Sequence, residues 1–290
     1  MTSRLVAIAL AALMAGGAGL VAAQSATPPS RPVPSASGIG RFSLNTLPVQ
    51  GGYLLGLVPR GTQRLNIDGR SIEFAVDGVF AIGYGRDYAG ETLITAVLAN
   101  GQRIEERLPV ARWPWRIESL PTLPKRSQPS AEFAARRPGE LAQINAARRI
   151  ASDSSGWRQR FIWPARGRIS GLFGSQRIYA GEPGAPHSGV DVAGPVGAPV
   201  IAPADGVVTL AATRPFTLEG NLLMIDHGMG LNSAFLHLSR IDVRAGDRVQ
   251  QGQRIGSIGA TGRATGPHLH WGMKWHEERI DPQRLAGPMR

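Results

Sequence analysis

Six histidines and no cysteine in a chain of 290 residues make imidazole the scarce and informative reactive group. Without thiols there is no disulfide framework, no thiolate nucleophile and no Cys-ligated metal, so a metal site must draw on His, Asp, Glu or Asn. Two spacings stand out. His187-Ser188-Gly189-Val190-Asp191 sets an imidazole and a carboxylate four residues apart. Its Gly-Val-Asp-Val run favours extended chain, where an even spacing aims both side chains at one face. His268-Leu269-His270 uses the two-residue period of a strand to aim two imidazoles the same way, with Leu269 facing opposite. Two neutral imidazoles and one carboxylate suffice for an open divalent-metal site, whose remaining position can hold a water with its pKa brought toward ~7. Spacing alone does not say which of His268 and His270 would be the ligand.

The elements that must carry these groups are strands. From Phe161 onward glycines are dense and helical periodicity is weak, and runs such as Gly189 to Val192, Gly206 to Ala211, Leu222 to Asp226, Ser233 to Leu238 and Leu269 to Lys274 predict an antiparallel sheet. His227, before Gly228 in a turn, reads as structural, and His276 as solvent-facing. Asn221 beside Gly220 reads as a turn-fixing amide. The glycines from Gly246 to Gly262 mark hairpins and close backbone approach; no G-x-x-x-x-G-K-[ST] phosphate cradle is present.

Upstream the chain divides by composition. Residues 1–23 place Arg4 ahead of an apolar, Ala-rich run ending Val21-Ala22-Ala23, the pattern of a secretory signal peptide cleaved after Ala23, or of an uncleaved N-terminal anchor. Residues 24–50 are read as a flexible linker on the strength of the Pro- and Ser-rich TPPSRPVPSASG tract. Residues 51–120 hold short β-rich runs separated by Asp68-Gly69, Asp77-Gly78 and Asn100-Gly101, a small β-sandwich-like accessory domain with no histidine. Residues 121–160 read as a helical connector interrupted at Pro138-Gly139, its arginines on a solvated face. Residues 161–283 form the histidine-bearing domain and 284–290 a C-terminal tail.

The C-terminal stretch, from about Ile162 to Asp281, resembles the lysostaphin-like zinc metallopeptidases, the M23 or LytM-type family of peptidoglycan endopeptidases. The resemblance rests on His187-Ser-Gly-Val-Asp191, Asn221-Leu-Leu-Met-Ile-Asp-His227-Gly, Phe235-Leu-His237-Leu-Ser239, Gly246 through Gly256, and Thr261-Gly262 through His268-Leu-His270. It implies a mainly β protein with an antiparallel catalytic sheet. It further implies one zinc ion held by His187, Asp191 and His270, with His237 and His268 beside the scissile amide handling protons as zinc-activated water attacks. The family usually has Tyr where this chain has Phe235, so a role for that hydroxyl is absent.

Lys+Arg 32 against Asp+Glu 21 gives +11, or +10 without Arg4, an excess suited to an anionic partner such as wall polymer. Export and the lack of a basic-aromatic motif argue against nucleic acid. A lipoyl-like carrier would need a hairpin lysine, and the only lysines are Lys125 and Lys274. The remaining alternative is a non-catalytic LytM-type regulator that activates another wall hydrolase, although such relatives typically lack one of the five site residues present here. The expected substrate is peptidoglycan in the periplasm or cell envelope. The N-terminal module is expected to limit access to the cleft, direct it in the wall, or meet an envelope regulator.

Overall fold

The computed structural model describes residues 41–123 and 130–289. The expected signal segment and the linker before residue 41 lie outside the described residues, as do 124–129 and 290. Among the described residues no helix is long and apolar enough to cross a membrane.

The N-terminal module contains β1 (Ser43–Leu44), β2 (Tyr53–Leu57), β3 (Thr62–Ile67), β4 (Arg70–Ile72), β5 (Val79–Gly83), β6 (Glu91–Leu98) and β7 (Arg103–Pro109). They form a three-stranded sheet, β1-β2-β5, and a four-stranded one, β4-β3-β6-β7. Asp68 and Gly69 both adopt positive φ and join β3 to β4 in a two-residue hairpin, as the Asp-Gly pair predicts. The ordered module begins earlier than the composition of the linker implied. Phe42 is buried edge-on against Phe80, and Gln50 is tied to Tyr88 O and the Trp113 amide.

After β8 (Ile117–Leu120) comes α1 (Ala131–Arg148), started by the Ser130 hydroxyl accepting from the Phe133 amide at 3.1 Å. The expected interruption at Pro138-Gly139 does not occur: the helix runs through Pro138 unbroken. Proline removes one helical hydrogen bond there. Tertiary contacts on either side, Arg137 to Glu219 and Glu140 to Thr217, offset that loss. Those contacts also overturn the expectation of a wholly solvated arginine face.

The remaining elements are β9 (Arg168–Gly171), β10 (Gln176–Tyr179), β11 (Glu182–Pro183), β12 (Gly189–Ala193), β13 (Pro199–Ile201), β14 (Gly206–Ala211), β15 (Asn221–Asp226) and β16 (Leu231–Leu238). They continue with β17 (Arg240–Ile241), β18 (Arg248–Val249), β19 (Arg254–Ser257), β20 (His268–Trp275), β21 (Glu278–Ile280) and α2 (Pro282–Ala286). Eight of the strands make one antiparallel sheet in the order β18-β14-β15-β16-β20-β12-β9, with β21 added on β20. Alternation sorts its two faces. Val190, Phe235, Leu269 and Trp271 are completely buried on one, in a core that continues without a break into the N-terminal module. Each such side chain contributes roughly 1.5–3 kcal/mol by leaving water. The other face carries Asp191, Leu236 and His270, which lie side by side in register. There α1 packs Ile144 and Ala147 against Leu222, Met224 and Leu236.

The N-terminal module also reaches this face's opposite flank. β8 pairs in parallel with β10, although the two belong to segments read as separate domains. Trp115 stacks edge-on against Phe173, and Arg86 donates to Gly174 O at 2.8 Å. The β9–β10 turn is thus braced by residues far upstream.

Candidate metal centre

Asp191 on β12 stands directly opposite His270 on β20, and Ala193 opposite His268. Opposed residues of an antiparallel pair hold their Cβ atoms about 4.5–5.5 Å apart, so the register alone brings carboxylate to imidazole. His187 precedes β12 and is not part of the strand, contrary to the simple alternation argument. Its place is set by the β9–β10 turn: its amide donates to Ser175 O at 2.8 Å, and its Nδ1–H to Leu172 O at 3.1 Å. A carbonyl can only accept, so His187 Nδ1 carries the proton and Nε2 is left for the site.

Three donor atoms then converge. His187 Nε2 lies 3.2 Å from His270 Nδ1 and 3.2 Å from Asp191 Oδ1, and His270 Nδ1 lies 2.9 Å from the same oxygen. A tetrahedral zinc ion with bonds near 2.0–2.2 Å would separate its donors by about 3.3–3.6 Å, so an outward shift of a few tenths of an ångström admits it. The triangle therefore fits one such cation, and among the described residues it is the group of three or more His, Cys, Asp and Glu side chains able to hold one. Two of the three protonation states suit it as well. Burial works against ionised Asp191, but hydrogen bonds to His187 and His270 prevail and hold the carboxyl well below the usual carboxylate range. Burial pushes His270 downward, keeping its ring neutral, against the pull of Asp191. At His187 burial is outweighed by the Asp191 carboxylate, which raises the imidazole, so proton and cation compete for Nε2.

His237 reaches the site by a different route. Its φ of +64° is rare for a side-chain-bearing residue. The β15–β16 register slips beside it: Asn221 opposes Leu238 whereas Leu223 opposes Phe235, so an extra residue bulges from β16. The bulge turns His237 out of strict alternation. Asn221 Nδ2 donating to Leu238 O at 2.9 Å holds it in place, so that amide ties two strands at the bulge and not a turn as the sequence suggested. His237 Nδ1–H donates to Thr261 O at 2.8 Å, and His268 Nδ1–H to Gly266 O at 2.8 Å, leaving both Nε2 atoms available. The two rings sit 4.8 Å apart between centroids, and His268 Nε2 is 3.8 Å from Asp191 Oδ1. Burial pushes His237 down to about 4, against the bond to Thr261 O, so its ring is neutral at pH 7.

All five residues singled out by sequence lie together. His227 stands apart, fully enclosed, with Nδ1–H on Asp205 O and Nε2 accepting from Ser233, each at 2.8 Å; His276 is exposed. Phe235 fills the core on the opposite face. Sequence reasoning missed Gly171, opposite Asp191, where a Cβ would overlap Asp191 Oδ2 and crowd His187. It also missed the carbonyls of Leu172, Thr261 and Gly266, which no side-chain pattern can reveal.

Sheet and site together present two histidines and one carboxylate that could hold a cation, flanked by two further imidazoles. The sequence model of peptidase family M23 matches residues 185–282, a span that contains all five. A crystal structure of a Pseudomonas aeruginosa protein assigned to peptidase M23 superposes with a TM-score of 0.64 at 30% identity, covering 83% of this chain and 96% of that one. The chain belongs to peptidase family M23. Among curated relatives, the peptidoglycan DD-endopeptidase ShyA of Vibrio cholerae is 44% identical over 132 residues, 45% of this chain and 30% of that protein. The cell division protein DipM of Caulobacter vibrioides is 33% identical over 129 residues, 44% of this chain and 20% of that protein. The chain thus spans less than a third of the length of either.

Proposed function

We propose that this chain is an exported zinc-dependent endopeptidase that hydrolyses the peptide cross-links of bacterial peptidoglycan. The observation that carries the reading is the triangle of His187 Nε2, Asp191 Oδ1 and His270 Nδ1, with two further imidazoles beside it whose Nδ1 atoms are already committed. Zinc held by those three residues would supply Lewis acidity, polarising an amide carbonyl and making water nucleophilic near neutral pH. The remaining work falls to the chain. His237, neutral and fixed by Thr261 O, has its Nε2 lone pair free to take a proton from the attacking water. The proton taken by His237 passes to the leaving nitrogen as the C–N bond breaks, and His268 Nε2, anchored through Nδ1 on Gly266 O, accepts the second proton of the attacking water, leaving a carboxylate and an amine. No side-chain nucleophile is required. Relatives named as peptidoglycan DD-endopeptidases support the substrate class, and the net charge of +11 suits an anionic wall.

A wall substrate requires passage out of the cytoplasm, which gives the apolar N-terminal run its role as an export signal. The N-terminal module would limit or direct access to the cleft or meet an envelope regulator, a reading supported by its contacts with the β9–β10 turn through Trp115 and Arg86. Retention of all five polar site residues disfavours a purely regulatory role. Digestion of defined muropeptides by the full chain, with and without chelator, tests the reading by mass identification of the fragments. Chelator-sensitive cleavage of a cross-link amide is expected; intact muropeptides in the zinc-loaded protein would overturn it.

A further inference from the structure

The helix α1 lies outside the residues matched by the family model, yet it grips the loop that holds His237. Three contacts fall on alternate loop residues. Arg136 Nη2 donates to Pro215 O at 2.7 Å. Glu140, almost fully buried, accepts from the Thr217 amide at 2.7 Å and the Thr217 hydroxyl at 2.6 Å. Arg137 forks onto Glu219, with Nη1 to Oε2 at 2.6 Å and Nη2 to Oε1 at 2.8 Å. Bidentate pairing of this kind fixes orientation as well as distance.

The far side of the same loop touches the His237 supports. Glu219 O accepts the His237 amide at 2.8 Å, the bond that replaces a regular ladder partner at the bulge. Leu218 O accepts the Arg263 amide at 3.0 Å, and Gly220 packs directly on Thr261. Thr261 in turn supplies the carbonyl that orients His237 Nδ1–H. Both hydrogen bonds that hold His237 in its positive-φ conformation therefore come from segments docked on one loop, and α1 clamps that loop from the other side.

We infer that Arg137 and Glu140 of α1 are positioning residues for His237, acting through the Pro215–Glu219 loop, so that the helix is a working part of the peptidase centre. The inference rests on the peptidase reading for its kinetic consequence, but its structural part does not. Glu219 is only 7% exposed, so without Arg137 its carboxylate is left unpaired in a closed environment and must move outward. Its backbone carbonyl moves with it, and His237 loses an anchor. A displacement of about 1 Å at a reacting group can cost on the order of 10²-fold in rate.

The test uses the full zinc-loaded chain carrying Arg137→Ala, Arg137→Lys, Glu219→Gln or the exchange Arg137→Glu with Glu219→Arg, and Gln143→Ala as an exposed control on the same helix. Two readouts are taken: muropeptide kinetics and hydrogen exchange at the His237 backbone amide. Arg137→Ala is expected to lower kcat by roughly 10- to 100-fold with KM and zinc content unchanged, and to speed His237 amide exchange. Arg137→Lys should be intermediate, and the charge exchange should recover part of both losses. Faster His237 exchange in a chain that cleaves no muropeptide would uphold the clamp and overturn the peptidase reading. Unchanged kcat and unchanged His237 exchange in folded Arg137→Ala would overturn the inference, as would equal losses in Gln143→Ala. If Arg137→Ala does not fold, Arg137→Lys and Glu219→Gln decide on the same criteria.

Discussion

His227 and His237 begin from the same local chemistry and end in opposite roles. Each donates Nδ1–H to a backbone carbonyl at 2.8 Å, and burial pushes each imidazole down to about 4. They differ at the second nitrogen. His227 Nε2 receives the Ser233 hydroxyl, which also accepts from Trp271 Nε1 at 3.2 Å, so every polar atom of the ring is consumed inside the core. His237 Nε2 has no hydrogen-bond partner among the described residues and faces the cluster of His268 and His270. A histidine with both nitrogens occupied is part of the scaffold; one with a single nitrogen anchored is oriented and still able to react.

Removing one corner of the metal triangle should give the largest effect. Asp191→Ala is expected to lose bound zinc, measured by elemental analysis, and to bring cleavage down to that of the chelated protein. Zinc retained at full stoichiometry would mean that the triangle is not the site. His237→Ala separates proton handling from ligation: cleavage should fall by about 10²- to 10⁴-fold while zinc stays bound. Loss of metal in that variant would reverse the assignment. Gly171→Ala tests the space around the triangle, since the new Cβ would overlap Asp191 Oδ2. A fall of roughly 10- to 100-fold in zinc affinity is expected, read by competition with a chromophoric chelator.

The scaffold side of the comparison is read through stability. His227 is neutral when folded and has an ordinary value of 6.5 when exposed, so unfolding binds a proton that folding excludes. Its contribution is fully present above pH 6.5 and is lost as pH falls toward 4, on the order of 3 kcal/mol in all. His227→Gln should make that slope shallower in denaturant unfolding measured between pH 7 and 4, leaving the share of His237 and His270, and leave zinc content unchanged. A slope as steep as that of the parent chain would place the titration elsewhere. Breaking the hydrogen bonds themselves should cost a further 1–3 kcal/mol or so at pH 7.

Much of this centre was legible in the chain. His268 and His270 share a face because strands alternate, and Leu269 between them is completely buried on the other. Asp68-Gly69 announced its hairpin, and the strands expected over Leu222 to Asp226 and Ser233 to Leu238 run over Asn221–Asp226 and Leu231–Leu238. What failed did so for tertiary reasons. Pro138 stays inside α1 because contacts with a loop about eighty residues away outweigh one missing helical bond, and Arg137 leaves the solvated face because Glu219 waits there. Phe42 joined the folded module through Phe80, a partner that no local window contains.

The amino-acid sequence by itself determined the donor types, the absence of thiol chemistry and the two-residue period that aims imidazoles from β20. These are local properties, set by residue identity and backbone repeat. Only the tertiary structure decided that His270 presents Nδ1 to Asp191, that His187 is swung in from outside the strand, and that a bulge at positive φ turns His237 toward them. Register, bulge placement and the docking of α1 are fixed by pairing between distant segments, where the free energy of burying a shared core overrides the preference of any single stretch.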